Sequence, residues 1–142
     1  MALGSLTYKT PVKIARIGSD LTTKAGFIVK LTDEATVAIC NTAAARPYGV
    51  IVVGCDSLTP GTYPSQIAAG ALEIVDAYGS TIVAIAGGTG VTFGSAVCVT
   101  GTGALNDAPA LGAGEWIVGY ALSDAPAGES FLLSFQPVRT QA

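Results

Sequence analysis

The chain has no histidine, which removes the side chain that most often serves as a neutral-pH base and the commonest nitrogen ligand for a metal. Its three cysteines, Cys40, Cys55 and Cys98, stand far apart in apolar runs such as Val37-Ala38-Ile39-Cys40. Structural zinc needs close Cys pairs and a disulfide framework needs an even number, so these residues read as buried small hydrophobes in a reducing compartment. Carboxylates are few. Glu73 and Asp76 are three positions apart, but the first falls within an expected strand and the second opens a turn, so a shared acid/base face does not follow. The run Gly87-Gly88-Thr89-Gly90 lacks the Gly-Lys-Ser/Thr ending of a phosphate-binding loop and continues into Val91-Thr92-Phe93 rather than a helix, which makes it a tight turn. Ser65 and Thr100 have no histidine to activate them. These residue types predict no enzyme, no metal and no cofactor.

Recognition chemistry is the remaining class. The ten aromatic residues are scattered rather than interleaved with basic ones, so they suit core or subunit packing better than a platform for bases or sugars. Tyr63, inside a Pro-rich loop, is the best candidate for exposed recognition, and it carries the alternative reading of a carbohydrate-binding module or adhesion subunit. Trp116 reads as a core or interface anchor. Lys9, Lys13 and Arg16 all precede the first acidic residue, Asp20. That local surplus of positive charge suits an arm docking on an acidic partner surface.

Composition sets the frame for these residues. Charged side chains make up 12% of the 142 residues and hydrophobic ones 50%, against about 25% charged in an ordinary soluble domain. Such an under-charged surface favours a subunit that hides part of itself in an assembly. The net charge of −3 disfavours nonspecific attraction to nucleic acid or anionic lipid. No apolar run approaches the ~20 residues of a membrane-spanning helix, and the N-terminal residues show no secretory pattern.

The elements that would position these residues are short and β-branched, bounded by Gly, Pro, Asp or Ser. Strands are expected at 12–17, 27–31, 36–40, 48–53, 71–75, 81–86, 96–100, 116–122 and 130–135, the second and third joined in a hairpin through Thr32-Asp33-Glu34. The Pro60-Gly61 and Pro64 stretch is a loop. Helix is confined to a short segment over 64–72 and a possible single turn over 42–46. The expected fold is all-β: a small barrel or sandwich of eight or nine short strands, with a short helical segment and an extended N-terminal arm. Residues 1–19 would form the arm and first strand, and residues 20–142 the body.

An internal echo runs through the chain. Gly26-Phe27-Ile28-Val29-Lys30-Leu31-Thr32 resembles Gly94-Ser95-Ala96-Val97-Cys98-Val99-Thr100 at an offset of 68 residues, and Tyr48-Gly49-Val50 resembles Val118-Gly119-Tyr120 at an offset of 70. Each copy reads as a glycine turn, an alternating strand, a polar crossing and a glycine-containing strand, as two similar sheet units sharing a core would.

Three segments carry a family resemblance. Ala25-Gly26-Phe27-Ile28-Val29-Lys30-Leu31, Arg46-Pro47-Tyr48-Gly49-Val50-Ile51-Val52, and Val118-Gly119-Tyr120-Ala121-Leu122 with Ala127-Gly128-Glu129 resemble bacteriophage capsid decoration, or cement, proteins of the small β-barrel type. The resemblance implies a homotrimeric knob on the outer surface of the virion, made in the host cytoplasm, which binds the major capsid protein lattice and stabilises the assembled shell. It implies an attaching extension over Ala2 to Ile17, with Lys9, Lys13 and Arg16 as capsid contacts. Neither nucleic acid nor membrane is an expected partner.

Overall fold

The structure, a computed structural model, describes residues 12–17, 24–33, 36–51, 71–76, 78–108 and 111–141; for 12–17, 36, 71–73 and 75 it describes the backbone alone. Ten strands follow one another: β1 (Val12–Ile17), β2 (Ile28–Leu31), β3 (Thr36–Ile39), β4 (Gly49–Ile51), β5 (Ala71–Val75), β6 (Ser80–Ile85), β7 (Ala96–Val99), β8 (Leu105–Asp107), β9 (Trp116–Ala121) and β10 (Ser130–Arg139). They divide between two five-stranded sheets, β1 to β5 in the first and β6 to β10 in the second.

The two sheets repeat one pairing diagram. In the first, the order is β3-β2-β4-β5-β1, all antiparallel, and β1 then meets β3 in parallel, so that the ladder returns on itself. In the second, the order is β8-β7-β9-β10-β6, again antiparallel, and the residue after β6 forms a parallel bridge to β8 through Ala86 and Leu105. Register agrees as well as order. Val29 stands opposite Gly49 between β2 and β4, and Val97 opposite Gly119 between β7 and β9. The glycines before the echoed strands, Gly26 and Gly94, both take φ +83°, a left-handed turn that a side chain would strain. The sequence echo is therefore a repeat of structure.

Hydrophobic alternation explains the packing. Along β6 burial alternates strictly, with Ser80, Ile82 and Ala84 inward and Thr81, Val83 and Ile85 partly open, the period of two expected of a half-covered strand. In β2 and β4 successive residues are buried on opposite faces. Ile28 and Val50 join the main core with Ile82, Val97, Leu105, Phe131, Leu133 and Phe135, whereas Val29 and Ile51 join a smaller core with Val37 and Ile74 inside the first sheet. Backbone hydrogen bonds tie the units further: Ile28 N–H donates to Gly103 O at 3.0 Å, Ile85 N–H to Gly26 O at 3.2 Å and Trp116 N–H to Ala43 O at 2.7 Å.

Two expectations are corrected. A single barrel or sandwich of eight or nine strands is replaced by two sheets of five, because β1 to β5 saturate one another before β6 begins. The short helical segment is absent from the described residues: Ala71 and Leu72 lie in β5, and Thr42 to Ala45 form a turn closed by the Ala45 N–H on Thr42 O at 3.2 Å. Residues 64–70 lie outside the described residues. Val12 to Ile17, expected as the first strand, is a strand of the first sheet.

Candidate interaction surface

Of the residues singled out for attachment, Lys13 and Arg16 lie in β1, whose backbone alone is described. Lys13 stands opposite Ile74 of β5, and Arg16 opposite both Ala71 of β5 and Thr36 of β3. Lys9 and Tyr63 lie outside the described residues, as does Cys55. Among the described residues, no group of three or more His, Cys, Asp or Glu side chains is placed to hold a metal. Gly87 to Gly90 form the expected tight turn, closed by the Gly90 N–H on Gly87 O at 3.0 Å. Cys40 and Cys98 are buried free thiols, as their apolar settings predict. Burial pushes both thiols above their ordinary value; at Cys98 the nearby Glu115 carboxylate adds to the rise. A shallow hollow of about 500 Å³ at the junction of the sheets is lined by Lys24, Phe27, Ile85, Thr102 and several glycines and alanines, a set without a nucleophile and base in partnership.

The more informative surface is the outer face of the second sheet. Thr81, Ser134, Tyr120 and Ala96 stand in one row across β6, β10, β9 and β7, and Val83 and Leu132 begin the next. Leu122 extends that second row, its N–H donating to Leu132 O at 2.7 Å. The strands β6, β7 and β9 contain no charged residue, and in β10 the single charge is Arg139 at its end. Tyr120 and Leu122 are nonetheless 39% and 40% exposed, while Ser134, between Thr81 and Tyr120 in the row, is buried. A four-strand face with aliphatic and aromatic side chains and no charge is unusual for a sheet side turned to water, which ordinarily alternates apolar and polar.

A pinned loop extends this face. The residues between β6 and β7 follow the turn at Gly87 to Gly90, and their backbone donors end on side chains from elsewhere. Thr89 N–H reaches Asn106 Oδ1 at 3.2 Å, Thr92 N–H reaches Asp107 Oδ1 at 2.9 Å, and Phe93 N–H reaches Asp124 Oδ1 at 2.7 Å. Gly94 N–H donates to Ala121 O at 2.8 Å, which sets the loop beside Leu122. The result holds Phe93 two-thirds exposed, at 66%, on a fixed backbone. Rigid exposed aromatics lose little entropy on contact, which is why they dominate interface energetics. The sequence marked Phe93 only as one of several scattered aromatics; the signal for its role is the set Asn106, Asp107 and Asp124, whose chemistry suits backbone capping.

No protein-family model matches the chain, and no curated protein matches it. Among solved structures it is similar to the N base of the head fibre gp8.5 of bacteriophage phi29, with a TM-score of 0.58 and 15% identity over 94% of this chain and 99% of that one. The two chains share a fold. Since nearly the whole of each is covered, both five-stranded units are within the likeness.

Proposed function

We propose that this chain is a structural protein of a bacteriophage virion, made in the host cytoplasm, which sits on the outer surface of the capsid, binds the major capsid protein lattice and stabilises the assembled shell. The observation that carries the reading is the charge-free, partly exposed outer face of the second sheet, in a fold shared with the base of a phage head fibre. Such a face gains by being covered, and we assign its cover to further copies of the chain in a homotrimer. A trimer engages the lattice several times at once, so weak contacts add through effective concentration. Binding the assembled shell and not its free subunits stabilises the shell by mass action.

The N-terminal segment with Lys9 supplies a second contact in this reading, with Lys13 and Arg16 at its root. The test removes residues 2–11 alone, because residues 12–17 are part of the first sheet. Purified protein is mixed with capsids, and bound stoichiometry and capsid melting are measured alongside solution mass. Expected are a trimer mass, saturable binding, a raised capsid melting temperature and weaker attachment after the deletion. A monomeric chain that leaves capsids unbound overturns the proposal. Phe93→Asp or Leu122→Asp should shift the mass towards monomer while leaving the fold intact.

A further inference from the structure

At the start of β9, one arginine from each unit stands near an indole. The loop between β3 and β4 lies against the start of β9, fixed by the hydrogen bond from Trp116 N–H to Ala43 O. Arg46, on that loop, holds its guanidinium 5.8 Å from the centre of the Trp116 ring, a cation–π arrangement that orients the group without neutralising it. Arg139 of β10 is the direct cross-strand partner of Trp116, and paired residues of an antiparallel ladder point to the same face. The Arg139 guanidinium lies over Gly114, where a Cβ would stand 3.2 Å from Nη2. The indole thus has one guanidinium near its ring and a second arginine as its cross-strand partner.

The platform beneath is built rather than loose. Gly114 N–H donates to Thr140 O at 2.9 Å and Thr140 N–H to Glu115 O at 2.7 Å, while the Thr140 hydroxyl lies 2.6 Å from Gly112 O and 2.9 Å from Glu115 O. Glu115 is the neighbouring carboxylate, and it is turned to its own loop, accepting the Gly112 N–H at 2.5 Å. Among the described residues, neither Arg46 nor Arg139 forms an ion pair, and both are exposed. On a chain of net charge −3, two guanidiniums without an ion-pair partner among the described residues are a local concentration of positive charge.

We infer that Arg46, Trp116 and Arg139 form a docking site for a carboxylate-bearing segment of a partner protein, with guanidinium forks engaging Asp or Glu and the indole covering the apolar stem of that side chain. Guanidinium suits a carboxylate in two-point geometry. Protein carboxylate is favoured over nucleic acid because the net charge of the chain repels an extended polyanion and the site offers two cations rather than a track. The inference deepens the proposed function by naming the chemistry of the shell surface that this chain would meet, and it rests on that reading for the identity of the partner.

Two measurements separate the site from the function. In the first, a peptide of alternating Asp and Glu, a matching Asn and Gln peptide and a single-stranded oligonucleotide are titrated against the full chain, with the Trp116 indole signal followed by NMR. The acidic peptide should shift that signal, bind more weakly as salt rises and lose roughly 10-fold or more in affinity with Arg46→Gln/Arg139→Gln. An unresponsive indole, equal binding of the neutral peptide, unchanged affinity of the double variant or tighter binding of the oligonucleotide overturns the inference. In the second, wild type and double variant are compared on capsids. Wild-type attachment with a weakened variant supports the site; equal attachment of both removes it while sparing the function. Failure of wild type to attach removes the function, and the titration still decides the site.

Discussion

At the scale of single residues, polar side chains in this protein serve mainly to hold backbone. Asp124 is the clearest case, since its carboxylate receives the Phe93 N–H at 2.7 Å and so fixes an aromatic that is otherwise open to water. Replacing Asp124 by Ala should cost about 1.5 kcal/mol, the lower end of the worth of a hydrogen bond to a charged group. Amide exchange at Phe93 should rise at the same time, with the core strands unchanged. The buried thiols give a pH dependence of defined sign. Folding raises the Cys40 and Cys98 pKa above the ordinary value near 9, so the folded state keeps protons that the unfolded state gives up as pH climbs. Their contribution is fully present at neutral pH and is eroded as pH rises beyond about 9 through the folded values. Urea unfolding at pH 7 and pH 10 checks this, with a midpoint lower at pH 10 and that drop reduced in Cys40→Ala/Cys98→Ala. Thiol reagents should label the native chain slowly at pH 7 and rapidly in urea.

At the scale of elements, the strands were readable because they alternate and end at glycine, proline or aspartate. The hairpin of β2 and β3 was readable for the same reason, Val29 to Leu31 pairing antiparallel with Val37 to Ile39. β8 was not, since Leu105-Asn106-Asp107 contains two residues that strands usually avoid; it is a strand because β7 and the Ala86 bridge pair with it. The end of β10 was hidden by Pro137, which ordinarily stops a strand but is tolerated at an irregularity, and the register of β10 against β9 does shift between Phe135 and Val138. Gly119 marks a close approach in this same pair. A Cβ there would stand 1.9 Å from Ser134 O, a backbone atom unable to withdraw without parting β9 from β10. Gly119→Ala should therefore lower stability by about 3 kcal/mol, measured by chemical denaturation, whereas Gly88→Ala, with open space at its Cβ, should change it little.

At the scale of the whole molecule, composition pointed to a surface short of charge, and the charge-free strands were visible in the sequence. Which side of each strand faces outward was not, because it depends on strand order, and order depends on contacts distant in sequence. β5 and β6 are consecutive yet belong to different sheets, while β1 closes its sheet with β3 and β5. The Arg46, Trp116 and Arg139 site was illegible for the same reason, its members lying on a loop of one unit and two strands of the other.

The repeated pairing diagram also bears on descent. Two copies of one five-strand plan in a single chain are what tandem duplication of a half-length gene leaves behind, and an ancestor of that size would have had to meet a twin to bury Ile28, Cys40 and Val50 as they are buried now. The charges record the divergence: six of the seven basic residues, Lys9 to Arg46, fall in the first half, and Arg139 alone in the second. The first copy carries nearly all the cations, while β6, β7 and β9 of the second carry no charge.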